Sequence, residues 1–142
     1  MTPYQKVCIR ESFALVAPIS DEVAFHFYAR LFGNDPSLRK LFAHTDMAGQ
    51  RKNLMQTLTV VVKSIDKLDT IVPAVQALGA RHAGYGVRPE MFATVGQALL
   101  DTLSAGLGDA FTAECRNAWV DAYTILSSVM IEAMERETAV AA

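Results

Sequence analysis

Apolar residues recur along this chain at three- and four-residue spacing, and the residues between the stripes punctuate it into helices. Thr2, Pro3 and Gln5 combine an N-cap, a first-turn proline and a capping-box partner, opening a helix that runs until Pro18 interrupts it. Ser20 then caps a second helix with Val23, Phe27 and Leu31 on one stripe and Ala24 and Tyr28 beside it, stopped by Gly33-Asn34-Asp35-Pro36. Asp35 and Pro36 start a short third piece carrying Leu38, Leu41 and Phe42, and His44, Thr45 and Asp46 form a polar corner after it. From Met47 to Lys67 the stripe is Leu54, Leu58, Val61, Ile65 and Leu68. Gln50 continues it toward the N-terminus, so its amide is predicted to face inward. Thr70 and Pro73 start a helix with the inner line Ile71, Val75, Leu78 and His82, broken by Gly84 and Gly86. Pro89 opens another, with Phe92, Val95, Leu99 and Leu103, closed by Gly106 and Gly108. Thr112 begins the last and longest helix, predicted to bury Cys115, Trp119, Ala122, Leu126 and Val129.

Val60 to Val62 is β-branched, yet the periodicity on either side favours helix, and no segment sustains a period of two. The expectation is an all-α fold of about seven helices, forming a single domain over residues 1–142, a length that suits one continuous core. About half the residues are apolar and the mean hydropathy is slightly positive, which suits a chain that lines an internal apolar pocket as well as its own core.

Charge and cysteine content narrow the function. Thirteen basic against fifteen acidic residues, with no dense Lys/Arg cluster, argue against a nucleic-acid partner. The apolar run at Val60 to Val62 is far short of a membrane span and the start of the chain has no signal-peptide core, so no stable membrane insertion and a cytoplasmic location are expected. Cys8 and Cys115 form no CxxC and are too few for a disulfide scaffold; they read as small buried hydrophobes.

No HExxH, GxGxxG, Walker loop or GxSxG elbow occurs, so protein-only zinc chemistry, nucleotide chemistry and serine hydrolysis have no support, and no residue is nominated as catalytic. Any catalysis must come from a bound cofactor. His82 ends an apolar line beside glycines that let a backbone or a flat ligand approach. A histidine on an apolar helix face is commonly a core residue satisfied by a carbonyl; a neutral imidazole there can also donate its lone pair to a haem iron.

The ordered set Phe27-Tyr28-Ala29-Arg30-Leu31-Phe32, Pro36, Leu41-Phe42, Gln50 with Leu54, Arg81-His82 with Gly86-Val87, and Ala118-Trp119 with Ala122-Tyr123 resembles the bacterial haemoglobins and the globin half of flavohaemoglobins. The resemblance spans about Ile9 to Met134. It implies a globin fold, three helices over three around haem b, with the short fourth helix lost near His44 to Ala48. It makes His82 the proximal iron ligand and Phe42 the ring wedged against the porphyrin. Tyr28, Gln50 and Leu54 become the distal lining, and Leu58, Val87 and Val95 join the haem contacts. Arg81 is either a propionate partner or a solvated charge. A phenol from Tyr28 and an amide from Gln50 can each donate a hydrogen bond to a bound diatomic gas. His26 is expected in solvent. His44, in the corner before the distal helix, is read as an exposed loop residue rather than a second iron ligand.

Two positions depart from the family pattern. Where flavohaemoglobins and their single-domain relatives tie the proximal imidazole to a tyrosine and a glutamate, Phe92 and Met134 stand here; Glu135 is one residue out of register. A less anionic His82, bonded to a backbone carbonyl, is expected in their place. The chain ends soon after the last helix, so a reductase half is not expected within it. The functions implied are binding of oxygen, nitric oxide and carbon monoxide, for oxygen storage or scavenging, with nitric oxide dioxygenase activity when a separate flavin-containing reductase re-reduces the iron. The alternative is a haem-based sensor acting through a partner. A monomer or homodimer is expected.

Overall fold

The computed structural model describes residues 1–141, with side chains described through Ala139. Among the described residues the chain forms six α-helices and no strand: α1 Pro3–Val16, α2 Ser20–Asn34, α3 Met47–Lys63, α4 Val72–Gly84, α5 Met91–Leu107 and α6 Ala113–Ala141. Tight 3-10 segments fill the connections at Ala17–Ile19, Pro36–Phe42, Ile65–Ile71 and Gly108–Ala110. The expected seventh helix is thus the 3-10 segment Pro36–Phe42, started by the Asp35 carboxylate, which accepts from the backbone N–H and hydroxyl of Ser37.

Most boundaries follow from the punctuation. The Thr2 hydroxyl accepts from the Gln5 N–H while the Gln5 side chain accepts from the Thr2 N–H, a complete capping box. Gly108 closes α5 at φ +55°, and the Thr112 hydroxyl accepts from the Cys115 N–H to open α6. Three expectations need correction. Ser20 is the first residue of α2 and not its cap, because the 3-10 turn Ala17–Ile19 winds directly into the helix. Thr70 does not cap α4; its hydroxyl donates to the Lys67 carbonyl, and Ile71 precedes the helix. α3 ends at Lys63 rather than Lys67: Ser64 leaves the helix at φ −97° and ψ 11°, and the 3-10 segment Ile65–Ile71, itself kinked at Lys67, takes over. Ile65 is buried all the same, since α and 3-10 windings both return a side chain to one face after three or four residues. Lys6 and Arg10 of α1 both pair with Asp66, tying this segment to the first helix.

α4 lies along α6, α2 packs on α5 and α3, and α1 packs chiefly on α6. Read as layers, α1, α3 and α4 lie over α2, α5 and α6. The filled part of the core holds Ile9, Val16, Ile65 and Leu103, each at most 2% exposed. Trp119 closes it, its indole N–H donating to the Ser12 hydroxyl at 2.9 Å while that hydroxyl donates to the Cys8 carbonyl at 2.6 Å. Both cysteines are free; Cys115 is buried, which pushes its thiol pKa up, and Cys8 is half-buried. Of the residues expected to be buried on α6, Leu126 and Val129 remain half-buried while Cys115, Trp119 and Ala122 are enclosed.

Candidate functional site

Two parts of the chain carry polar groups on otherwise apolar stripes. In one, Tyr28 of α2 is buried among rings: Phe27 at 4.9 Å edge-on, Phe42 at 5.7 Å edge-on and Phe32 at 6.2 Å between centroids. Phe32 and Phe42 also meet edge to face at 5.4 Å, and the Arg39 guanidinium covers the outer face of Phe32. These contacts fix the phenol ring. Gln50, in the first turn of α3, donates its side-chain N–H to the Tyr28 hydroxyl at 3.1 Å. Burial pushes the Tyr28 pKa up, opposed by the Gln50 hydrogen bond, so the hydroxyl keeps its proton near neutral pH. That proton has no protein acceptor among the described residues, which leaves one donor free. Leu54 and Leu58 follow Gln50 at four-residue intervals and are half-buried.

The half-buried His82 lies in the last turn of α4. Its Nδ1 is 2.7 Å from the Leu78 carbonyl oxygen one turn earlier. A carbonyl can only accept, so Nδ1 carries the hydrogen and Nε2 keeps its lone pair. Burial lowers the His82 pKa; the Leu78 hydrogen bond works the other way and Arg81 adds to the lowering, which favours the neutral ring. Gly86, at φ +86°, turns the chain under Leu41, and the Val87 N–H donates to the His82 carbonyl at 3.1 Å. Val87, Val95 and Phe42 are half-buried like the leucines of α3.

A neutral imidazole with a free Nε2, one spare phenolic donor, and large apolar side chains left partly accessible fit an iron porphyrin: a soft nitrogen ligand, a polar handle and apolar walls. The remaining expected residues fall outside this group. Arg81 is exposed with no carboxylate within 4 Å among the described residues, consistent with a solvated charge. His44 is exposed on its turn, and His26 is exposed beside Glu22 at 3.9 Å. A groove of about 780 Å³ between the end of α1, the start of α2 and the outer face of α3 includes Phe13, Asp21, Arg51 and Met55, and none of the nominated residues. Arg51 within it is already paired with Asp21 at 2.9 Å, and no cluster of three or more potential metal ligands occurs among the described residues.

The two departures bear on the imidazole. Phe92 is buried and presents only its carbonyl, which accepts from the Tyr123 hydroxyl at 2.6 Å; Met134 is buried and Glu135 exposed. Burial pushes the Tyr123 pKa up, so this phenol too stays protonated. Sequence reasoning missed Tyr123 as a structural strut and Gly96, whose absent Cβ would lie 2.7 Å from the Tyr123 ring. It also missed Gly79, at which a Cβ would lie 2.6 Å from the Met130 carbonyl oxygen. A glycine inside a helical pattern was the available signal in both cases.

A family model described as Globin matches residues 26–130. The flavohemoprotein of Vibrio cholerae is 31% identical over 126 residues, 87% of this chain and 32% of that protein. The flavohemoprotein of Bordetella parapertussis is 30% identical over 133 residues, 92% and 33% respectively. The chain therefore spans about a third of the length of these curated relatives. Among solved structures, a bacterial globin from Campylobacter jejuni superposes with a TM-score of 0.83 at 21% identity, covering 95% of this chain and 97% of that one. An engineered carbene transferase from Rhodothermus marinus superposes with a TM-score of 0.88 at 24% identity, covering 99% and 97%. At these identities the structural likeness shows the shared fold. No helix among the described residues is long and apolar enough to cross a membrane.

Proposed function

The chain belongs to the globin family, and from that premise we propose that it acts as one haem-binding domain holding haem b through His82 and taking a diatomic gas on the Tyr28 side. Haem supplies reversible coordination of oxygen, nitric oxide and carbon monoxide together with one-electron redox chemistry. The observation that carries the reading is the His82–Leu78 hydrogen bond, which fixes the tautomer leaving Nε2 available.

In this reading Phe42, Leu54, Leu58, Val87 and Val95 supply apolar contact to the macrocycle and exclude water from it. Tyr28 donates its hydroxyl proton toward the gas, and Gln50 acts through Tyr28: by donating to the phenolic oxygen it orients the hydroxyl and strengthens it as a donor. A donor of this kind retains a gas that accepts hydrogen bonds. Retention of oxygen suits storage or scavenging. It also suits nitric oxide dioxygenation, in which oxygen and nitric oxide are converted to nitrate while a separate flavin-containing reductase returns the iron to its reduced state. The flavohemoprotein relatives support that second role, as does the provisional naming of the Rhodothermus protein as a nitric oxide dioxygenase.

The visible spectrum of the protein loaded with hemin tests the site. His82→Ala is expected to abolish the parent Soret position in the reduced protein; an unchanged band overturns the assignment. Nitrate formed in excess of one per haem, with reductant continuously supplied, supports the dioxygenase role. A single stoichiometric burst leaves storage.

A further inference from the structure

Glycine is unfavourable inside a helix, so Gly79, eight residues into α4, needs a packing reason. The reason is visible: a Cβ there would fall 2.6 Å from the Met130 carbonyl oxygen and 2.8 Å from the Met130 Cα of α6. Both are backbone atoms inside a helix and cannot swing aside as a side chain would. α4 therefore rests directly on the backbone of α6 at this point. The peptide unit between Leu78 and Gly79 contributes the carbonyl that holds the His82 ring.

We propose that Gly79 is the positioning residue of the His82 imidazole: its lack of a side chain seats α4 on the Met130 backbone, and that seat fixes the peptide whose oxygen orients the ring. The inference rests on the reading of His82 as the iron ligand. It explains how this chain orients its imidazole with Phe92 and Met134 at positions where a phenol and a carboxylate were expected. A side-chain acceptor is replaced by a helix-on-helix contact, which leaves the ring hydrogen-bonded to a neutral oxygen and poorer in electron density than one bonded to a carboxylate. Any larger residue at position 79 lifts α4 from α6 and turns the Leu78 carbonyl with it.

The resonance Raman band of the bond between the imidazole and reduced iron reads this orientation directly. In the haem-loaded protein, Gly79→Ala is expected to shift and broaden that band and to speed hemin transfer to apomyoglobin by about tenfold. The same substitution is then placed in His82→Gly with free imidazole added, where the ligand is no longer attached to α4; there the band should not respond to residue 79. Met134→Ala, which removes a buried side chain one turn along α6 but no backbone, should leave the band in place. The proposal is overturned by an unmoved band in Gly79→Ala, by an equal shift in the detached background, or by a comparable shift in Met134→Ala. If Gly79→Ala does not fold, a shifted band in Met134→Ala still overturns the proposal. A parent protein whose spectrum survives His82→Ala instead refutes the ligand assignment itself.

Discussion

The interior has two halves that differ in how they are filled. Around Ile9, Val16, Leu103 and Trp119, side chains from α1, α5 and α6 enclose one another almost completely, and the polar atoms among them are bonded to each other. Elsewhere, on the 3-10 segment before α3, on α3, just after α4 and on α5, residues of the same chemistry, Phe42, Leu54, Leu58, Val87 and Val95, keep part of their surface accessible. The first half is what the chain needs in order to fold. The second matches an apolar planar partner, and its free energy of burial is gained on binding instead of on folding.

Substitutions on the two sides should therefore separate stability from retention. The largest effect is expected from Leu103→Ala, costing about 2–5 kcal/mol in denaturant unfolding, and equally in apoprotein and haem-loaded protein. A loss seen only in the loaded form would erase the distinction. Tyr28→Phe should speed oxygen dissociation by about tenfold or more in stopped-flow replacement with carbon monoxide, with the Soret band kept. An unchanged rate removes the phenol from the site. Phe42→Ala should change apoprotein stability by only about 1 kcal/mol while accelerating hemin loss several-fold; a stability loss as large as that of Leu103→Ala would place Phe42 in the folding core. The smallest effect, about 1 kcal/mol in both forms, is expected from Thr2→Ala, which removes a helix cap remote from the site and is read in the thermal midpoint.

The contrast also explains what could be read from the sequence. Period and punctuation placed the α-helices best where, as in α1, α2, α4, α5 and α6, an apolar stripe is combined with a glycine, proline or capping residue. They failed at Lys63 to Lys67, where no glycine or proline stands, Ser64 makes no side-chain cap, and a change from α to 3-10 winding leaves the stripe intact. The inward placement of Gln50 beside Tyr28 followed from one stripe and one resemblance. That Gln50 donates to Tyr28 depends on two helices meeting, which spacing within either helix does not encode. A carbonyl partner for His82 was expected on the chemistry of Phe92 and Met134. Gly79 was passed over, since the meaning of a missing side chain is set by the neighbour that occupies its space.

The eight glycines carry a further consequence for how this sequence can drift. Gly33, Gly84 and Gly106 face open space at ordinary dihedral angles and should accept alanine freely in a saturation library. Gly79 and Gly96 are held by what would collide with them, and Gly86 and Gly108 by left-handed backbone, so those four should stay monomorphic under selection for a pigmented colony.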